Sequence, residues 1–486
     1  MISWGTPRAR AVLATTILGS GMAMLDGTIV NVALPRIAAE LGASVSDLQW
    51  ILNGYLLALA SLILVAGSLG DRFGRRRVYV TGVVWFGLAS LLCGAAWNVP
   101  VLVAARVLQG VGAALLTPGA LAILQASFRR EDRSRAIGAW SGLSGVATAV
   151  GPLVGGLLVQ AWSWRLAFLV NLPVAAVCVV LALRFVPESR DESAGHPNYL
   201  SALVGAAGLA LLTGGIVEQS YVATILGLLA LVAFGVLQKR SRDPLVPVEL
   251  FNNRTFLLSN VLTFLVYAAL GGVMVLLVLQ LQISLGYSPT ASGLASVPIT
   301  IIMLLASSTS GRIAQRHGPR WQLVAGPVLV GAGMLLLRNA VPGSSYVTGV
   351  LPGVLVFGIG LAAVVAPVTA TVLASAPDHH AGVASGVNNA VARTGGLLAT
   401  AVLPVAVGLT GAGYADPAVM TRGWQTALVL CAVAAIIGGL LAFGVDNRVL
   451  AAAPEQHETP HPGECLHCGV EGPPTHVRSG SEKASQ

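Results

Sequence analysis

GSLGDRFGRRR, residues 67–77, returns in degraded form as GRIAQRHGPRW, residues 311–321, so that Gly67 aligns with Gly311, Arg72 with Arg316 and Gly74 with Gly318. Each copy ends a long apolar run and opens a basic turn. Parallel repeats of this kind mark transporters built from two similar helical bundles, with a site between them near the bilayer midplane. The spacing between the copies is too large for two adjacent six-helix units. A pair of helices inserted between the halves is therefore expected.

The rest of the chain fits a repeated membrane bundle. Of 486 residues, 55% are hydrophobic and only 10% charged, with a mean hydropathy of +0.78; soluble domains carry about 25% charged residues. Apolar runs of about 17–25 residues, enough to cross about 30 Å of hydrocarbon as helices, recur throughout. The alternating segments of about ten residues that a membrane β-barrel needs are missing. Apolar windows predict fourteen spans, near 11–34, 48–69, 79–97, 100–124, 134–159, 165–186, 199–218, 221–238, 256–281, 291–313, 321–338, 347–374, 383–409 and 423–444. With the N-terminus inside, 22 of the 28 basic residues fall in cytoplasmic segments, four in outer loops and two, Arg106 and Arg393, within spans. That asymmetry predicts an even number of spans and two cytoplasmic termini.

The resulting organisation is an N-terminal six-helix bundle (1–190), an inserted two-helix segment (191–250), a C-terminal six-helix bundle (251–445) and a disordered cytoplasmic tail (446–486). The opening MISWGTPRARAVLATTILGSGMAML has the basic-then-apolar order of a signal peptide, but the apolar run continues past Asp26 to Leu34, so an uncleaved first span is expected. The net charge of +8 lies in short loops on one side, which argues for topology and against nucleic acid. Cys465 and Cys468 form a lone CxxC in the tail, near His461, His467 and His476. That spacing is a weak metal signal, and no metal site is assigned.

Four stretches carry chemistry. LDGTIVNVALP (25–35) places the carboxylate of Asp26 inside an apolar span, and LVAARVLQGVGAALLTP (102–118) places Arg106 inside another. A charge near the bilayer centre costs several kcal/mol and normally faces a partner or a cavity. Burial raises a carboxylate's pKa while a nearby arginine lowers it, so a balanced pair is suited to taking up and releasing a proton. In the repeat itself, Gly67, Gly70 and Gly74 permit a tight reversal, and Asp71 can pair with Arg72, Arg75 or their neighbours. GVATAVGPLVGGLL (145–158) combines Pro152, which removes a backbone donor, with Gly151 and Gly155 as a small-xxx-small face and Gly156 beside them. Asn31, Asn53, Tyr55, Gln109, Asn389 and Arg393 are polar or charged groups in apolar surroundings and are candidates for a substrate cavity.

These stretches resemble the major facilitator superfamily, and in particular its fourteen-helix drug:proton antiporters. The resemblance covers the N-terminal half well and the second half mainly through span pattern and repeat. It implies the major facilitator fold, two six-helix bundles plus two inserted helices. It further implies a cytoplasmic gate around Asp71 and Arg72, an Arg106–Gly110 motif that tunes the proton-binding carboxylate, and an antiporter motif at Gly151, Pro152, Gly155 and Gly156. Gln315 replaces the gate's acid in the second copy, so the two mouths should differ.

The chain is thus expected to be no enzyme but a multi-pass transporter of a bacterial cell membrane, monomeric, that exports amphipathic small molecules in exchange for protons. No GxxxxGK[ST] sequence is present, and no cofactor beyond a proton gradient is expected. An exporter dedicated to one endogenous metabolite would share every motif. A non-transporting receptor or scaffold would not need the Asp26, Arg106 and Gly151-Pro152 constellation.

Overall fold

The computed structural model describes residues 2–190, 199–241, 244–377, 381–409 and 416–450, and they are overwhelmingly helical. The first half comprises α1 (Pro7–Leu41), α2 (Val45–Phe73), α3 (Arg75–Gly94), α4 (Val99–Ser127), α5 (Arg130–Ala161) and α6 (Leu166–Phe185). Two helices follow, α7 (Tyr199–Val217) and α8 (Tyr221–Arg240). The second half comprises α9 (Arg254–Ser284), α10 (Pro289–His317), α11 (Arg320–Leu337), α12 (Tyr346–Ala374), α13 (Ala381–Ala406) and α14 (Pro417–Leu441).

Among the described residues, twelve of these helices are long and apolar enough to cross a membrane. The other two, α5 and α13, have 32 and 26 residues and carry more polar side chains along their length. Helix ends follow local chemistry. Ser44 accepts from the Asp47 amide while Asp47 bonds back to Ser44, a reciprocal cap at the start of α2. Asn98 caps α4 in the same sense, through the Val101 amide. Gly42 closes α1 at φ +65°, a left-handed position that suits glycine.

Successive helices run back and forth between a near face, which holds the start of α1, and a far face. The repeated basic turns both lie at the near face, and the structure shows how each is held. Gly74 (φ +110°) and Gly318 (φ +82°) make the reversals. In the first copy the Arg76 amide donates to Glu188 Oε1 at 3.0 Å, and in the second the Arg320 amide donates to Asn447 Oδ1 at 3.1 Å. Arg76 and Arg320 occupy matching places in the two copies. Glu188 also draws in the Arg76 and Arg77 guanidinium groups at 3.6 and 3.8 Å, whereas the neutral Asn447 donates to the His317 carbonyl. Asp446 and Asn447 are thereby bonded to the helical bundle, the former through Thr255, so ordered structure continues past residue 445.

The inserted pair is pinned at the far face. Glu218, just beyond α7, accepts from Trp50 Nε1 at 2.7 Å and from Ser46 Oγ at 3.0 Å at the start of α2. The halves themselves are stitched there too. Gln49 donates to the Thr400 and Ala401 carbonyls, Thr400 Oγ1 donates to Asn53, Gln282 donates to the Val32 carbonyl, and the Thr290 amide donates to Gln160.

Asn447→Ala should remove the acceptor for the Arg320 amide and the donor to His317, lowering stability by roughly 1–3 kcal/mol. Thermal unfolding of the purified protein in detergent tests this. An unchanged melting temperature would show that the second turn does not need its cap.

Candidate functional site

Asp26 is the twentieth residue of the 35-residue α1, and its carboxylate is 0% exposed. One oxygen, Oδ2, accepts from Arg106 Nη1 at 2.6 Å. The other, Oδ1, accepts from Gln109 Nε2 at 2.8 Å and Asn171 Nδ2 at 3.1 Å. Arg106 is equally enclosed, at 1% exposure. Its Nε donates to the Ile51 carbonyl at 3.1 Å and its Nη1 also to Gln109 Oε1 at 2.6 Å, while its plane lies over the Tyr55 ring, 4.3 Å from the centroid. Ser90 Oγ receives Gln109 and Asn171 as a further acceptor. Five helices, α1, α2, α3, α4 and α6, are tied together by this one network, which lies within about two turns of the far ends of α3, α4 and α6.

The structure therefore brings Asp26 and Arg106 into direct contact. It also reassigns two residues expected to line a cavity. Gln109 is fully buried and belongs to the ionic network. Tyr55 is 3% exposed, donates to the Ala23 carbonyl and packs against Arg106, so it too is core. Asn53 is buried where α2 meets α13. Asn31 and Arg393 are half-buried, and Asn389 is exposed.

Sequence reasoning missed Asn171 and Ser90. Asn171 carried the available signal, a carboxamide inside the apolar run LVNLPVA; a serine in a membrane helix carries none. Glu188, the anchor of the first basic turn, was missed because it lies beyond the end of α6, far from residues 67–77 in sequence.

In the first basic turn Asp71 pairs with Arg75, Nε and Nη2 both at 2.8 Å, and Arg72 lies over the Phe73 ring at 5.2 Å. Gly67 and Gly70 stand on α2 just before the turn, where Gly70 accepts the Gly74 amide. The glycines of α5 work at two distinct contacts. A Cβ at Gly151 would sit 2.0 Å from Thr28 Oγ1, and one at Gly155 3.2 Å from Ile29 Cα, so both face α1. Gly156 instead faces the second half, where a Cβ would lie 2.7 Å from the Pro289 carbonyl oxygen, and Gly293 returns the contact against the Pro152 carbonyl. The three cysteines among the described residues, Cys93, Cys178 and Cys431, are buried and free, and no cluster there is fit to bind a metal. Cys465 and Cys468 lie outside the described residues.

A repeated helical bundle with an ion pair sealed inside one half defines a polytopic membrane transporter. Residues 16–400 and 260–466 match the family model described as Major Facilitator Superfamily, and the chain belongs to that family. It is 35% identical over 92% of its length to the puromycin resistance protein pur8 of Streptomyces alboniger, covering 93% of that protein. It is 36% identical over 81% of its length to the tetracenomycin C resistance and export protein of Streptomyces glaucescens, covering 75% of it. Its fold is shared with a crystal structure of the peptide transporter POT in complex with sulfate, at a TM-score of 0.68 and 16% identity, over 93% of this chain and 97% of that one. The chain is a multi-pass protein of a bacterial plasma membrane.

Removing one member of a buried ion pair leaves the other charge stranded, at a cost of about 3–5 kcal/mol. Asp26→Asn and Arg106→Gln should each destabilise the protein by that order, and Asp26→Asn/Arg106→Gln by clearly less than their sum, as read by thermal unfolding. Strict additivity would mean that the two side chains do not act as a pair.

Proposed function

We propose that this transporter is a fourteen-span, proton-coupled exporter of amphipathic small molecules, of the drug:proton antiporter kind, with both termini in the cytoplasm. In this reading α5 and α13 cross the bilayer with the other twelve helices, and their polar residues face the bundle interior rather than lipid. The near face, which carries the basic turns, is cytoplasmic by the positive-inside rule. The far face is then the outer side, and its stitching by Gln49, Asn53, Gln160 and Gln282 makes this the conformation closed to the outside.

The observation that carries the coupling is the Asp26–Arg106 network. Protonation of Asp26 at Oδ2 removes its charge and makes the oxygen that accepts from Arg106 Nη1 a donor, which breaks the ion pair and leaves Oδ1 with its two carboxamide donors. Each state of Asp26 then favours a different arrangement of α1 against α4 and α6, and a ligand shifts such an equilibrium only through its different affinity for the two states. The Asp71–Arg75 pair stays within one half here, which fits a cytoplasmic gate that is open. Export of amphipathic compounds is supported by the relatives, one of them named for both resistance and export. The relatives cited are each named for a single antibiotic, which favours one preferred compound as the second reading.

In proteoliposomes of the wild-type protein, an imposed pH gradient should drive movement of amphipathic dyes or drugs. Asp26→Asn/Arg106→Gln, in which neither charge is left stranded, should move none against its gradient. Retained gradient-driven transport in that variant would remove Asp26 from the coupling. Movement of one compound alone across a broad panel would establish the dedicated exporter.

A further inference from the structure

One short segment stands between the Asp26–Arg106 pair and the far face. Trp164, Arg165 and Phe168 lie at the start of α6, ahead of Asn171, which donates to Asp26. Arg165, Phe168 and Asn171 recur every three residues and so share one side of the helix, over about 9 Å at 1.5 Å per residue. Each meets the first half at a different depth. Arg165 pairs with Glu40 at the end of α1, and its Nη2 donates to the Ala96 carbonyl between α3 and α4 at 3.3 Å. The buried Phe168 ring lies 5.7 Å from the Arg106 guanidinium, and Asn171 reaches Asp26 itself.

Trp164 completes the column. Its ring is 2% exposed and meets Phe168 edge to face at 6.1 Å, while its Nε1 donates to Glu40 Oε2 at 2.8 Å. Glu40 thus holds the indole with one carboxylate oxygen and the Arg165 guanidinium with the other. Arg165 in turn covers the Trp164 ring, 4.4 Å from its centroid. This fastening is at the surface, where the Glu40 side chain is 49% exposed. The two rings beneath it are buried in one apolar cluster with Cys93, Leu102 and Ala105.

The segment is also jointed to the rest of α6. Helix runs over Leu166–Leu169 and again over Asn171–Phe185, with a break at Val170. Pro173 explains the break, because it has no N–H to offer the Leu169 carbonyl four residues back and its ring crowds that carbonyl. A single turn carrying Phe168 is therefore fastened above by Glu40 and hinged below at Val170. Lifting it would take from Arg106 one of the two aromatic faces, Tyr55 and Phe168, that lie against its charge.

We infer that Trp164 and Phe168 form a lid over the Asp26–Arg106 pair, latched by Glu40 and hinged at Val170. Its opening admits water from the far face to Asp26 within the first half, apart from the seam between the halves. This rests on the export reading, in which the far face is the outer side, and it gives the incoming proton a route of its own.

Cys93 is a native reporter. Its thiol is buried beneath the lid and donates to Gln109 Oε1 at 3.6 Å, inside the network. Cys178, buried in the same half against Thr15 and Tyr79, is the internal control. With Cys431, Cys465 and Cys468 replaced by serine, the protein in nanodiscs is treated with iodoacetamide, and alkylation of each thiol is followed by peptide mass spectrometry. Trp164→Ala and Glu40→Ala should each label Cys93 about tenfold faster, the order by which losing one hydrogen bond to a charged group shifts an opening equilibrium. Cys178 should label at its original rate. Glu40→Ala touches only the surface latch, so it tests the lid without disturbing the core. Three results would overturn the lid: unchanged Cys93 labelling in Glu40→Ala, a rise shared equally by Cys178, or a rise in the seam variant Gln49→Ala but in neither lid variant. Dye movement driven by a pH gradient reports separately on export: its absence beside lid-dependent Cys93 labelling would sink the export reading and leave the lid standing.

Discussion

One buried ion pair sets the terms for the first half of this protein. An isolated charge at membrane depth costs several kcal/mol, and Asp26 and Arg106 meet that cost with each other and with a closed set of hydrogen bonds from Gln109, Asn171 and the Ile51 carbonyl. Apolar residues of equal volume would often serve stability as well or better. In the proposed export cycle the pair serves instead as a device with two protonation states. Its neighbours support that use: each partner of Asp26 lies on a different helix from α1, so a change at one carboxylate is felt by α3, α4 and α6 together.

The second half repeats the fold without repeating the chemistry. Its basic turn keeps the glycine, the arginine and a side-chain acceptor for the arginine's amide, which are what the reversal itself needs. The acidic partners are gone. Gln315 stands where Asp71 would be and neutral Asn447 does what Glu188 does in the first copy. Backbone satisfaction is thus common to both copies, and among the described residues ion pairing is confined to the first. The intramembrane cations differ in the same manner: Arg106 is paired and sealed, Arg393 is open and half-buried.

Much of this was legible in the sequence because membrane helices obey strong and simple rules. The long apolar runs read as spans lie in helices, and the spacing of the two copies of one turn leaves room for α7 and α8 between them. The Asp26–Arg106 contact was inferable because a charge in hydrocarbon demands a partner and few were on offer. What stayed hidden depended on helix rotation. Gln109 and Tyr55 are polar residues in spans just as Asn389 is, yet two point into a packed half and one is exposed, and a uniformly apolar surrounding gives no amphipathic period to tell them apart. Glu188 and Asn447 were hidden for a different reason: they act across a tertiary contact from segments that read as loop and tail.

The ion pair and the contacts that join the halves at the far face lie close together, and α2 is what links them. Arg106 donates to the carbonyl of Ile51. Two residues to either side, Gln49 and Asn53 make the contacts with Thr400 and Ala401 that hold the far face shut. A guanidinium released by protonation of Asp26 would loosen its grip on the one turn of α2 that carries those contacts. The ion pair and the far-face seam are thus joined through one turn of α2, by contiguous hydrogen bonds rather than through a long-range relay.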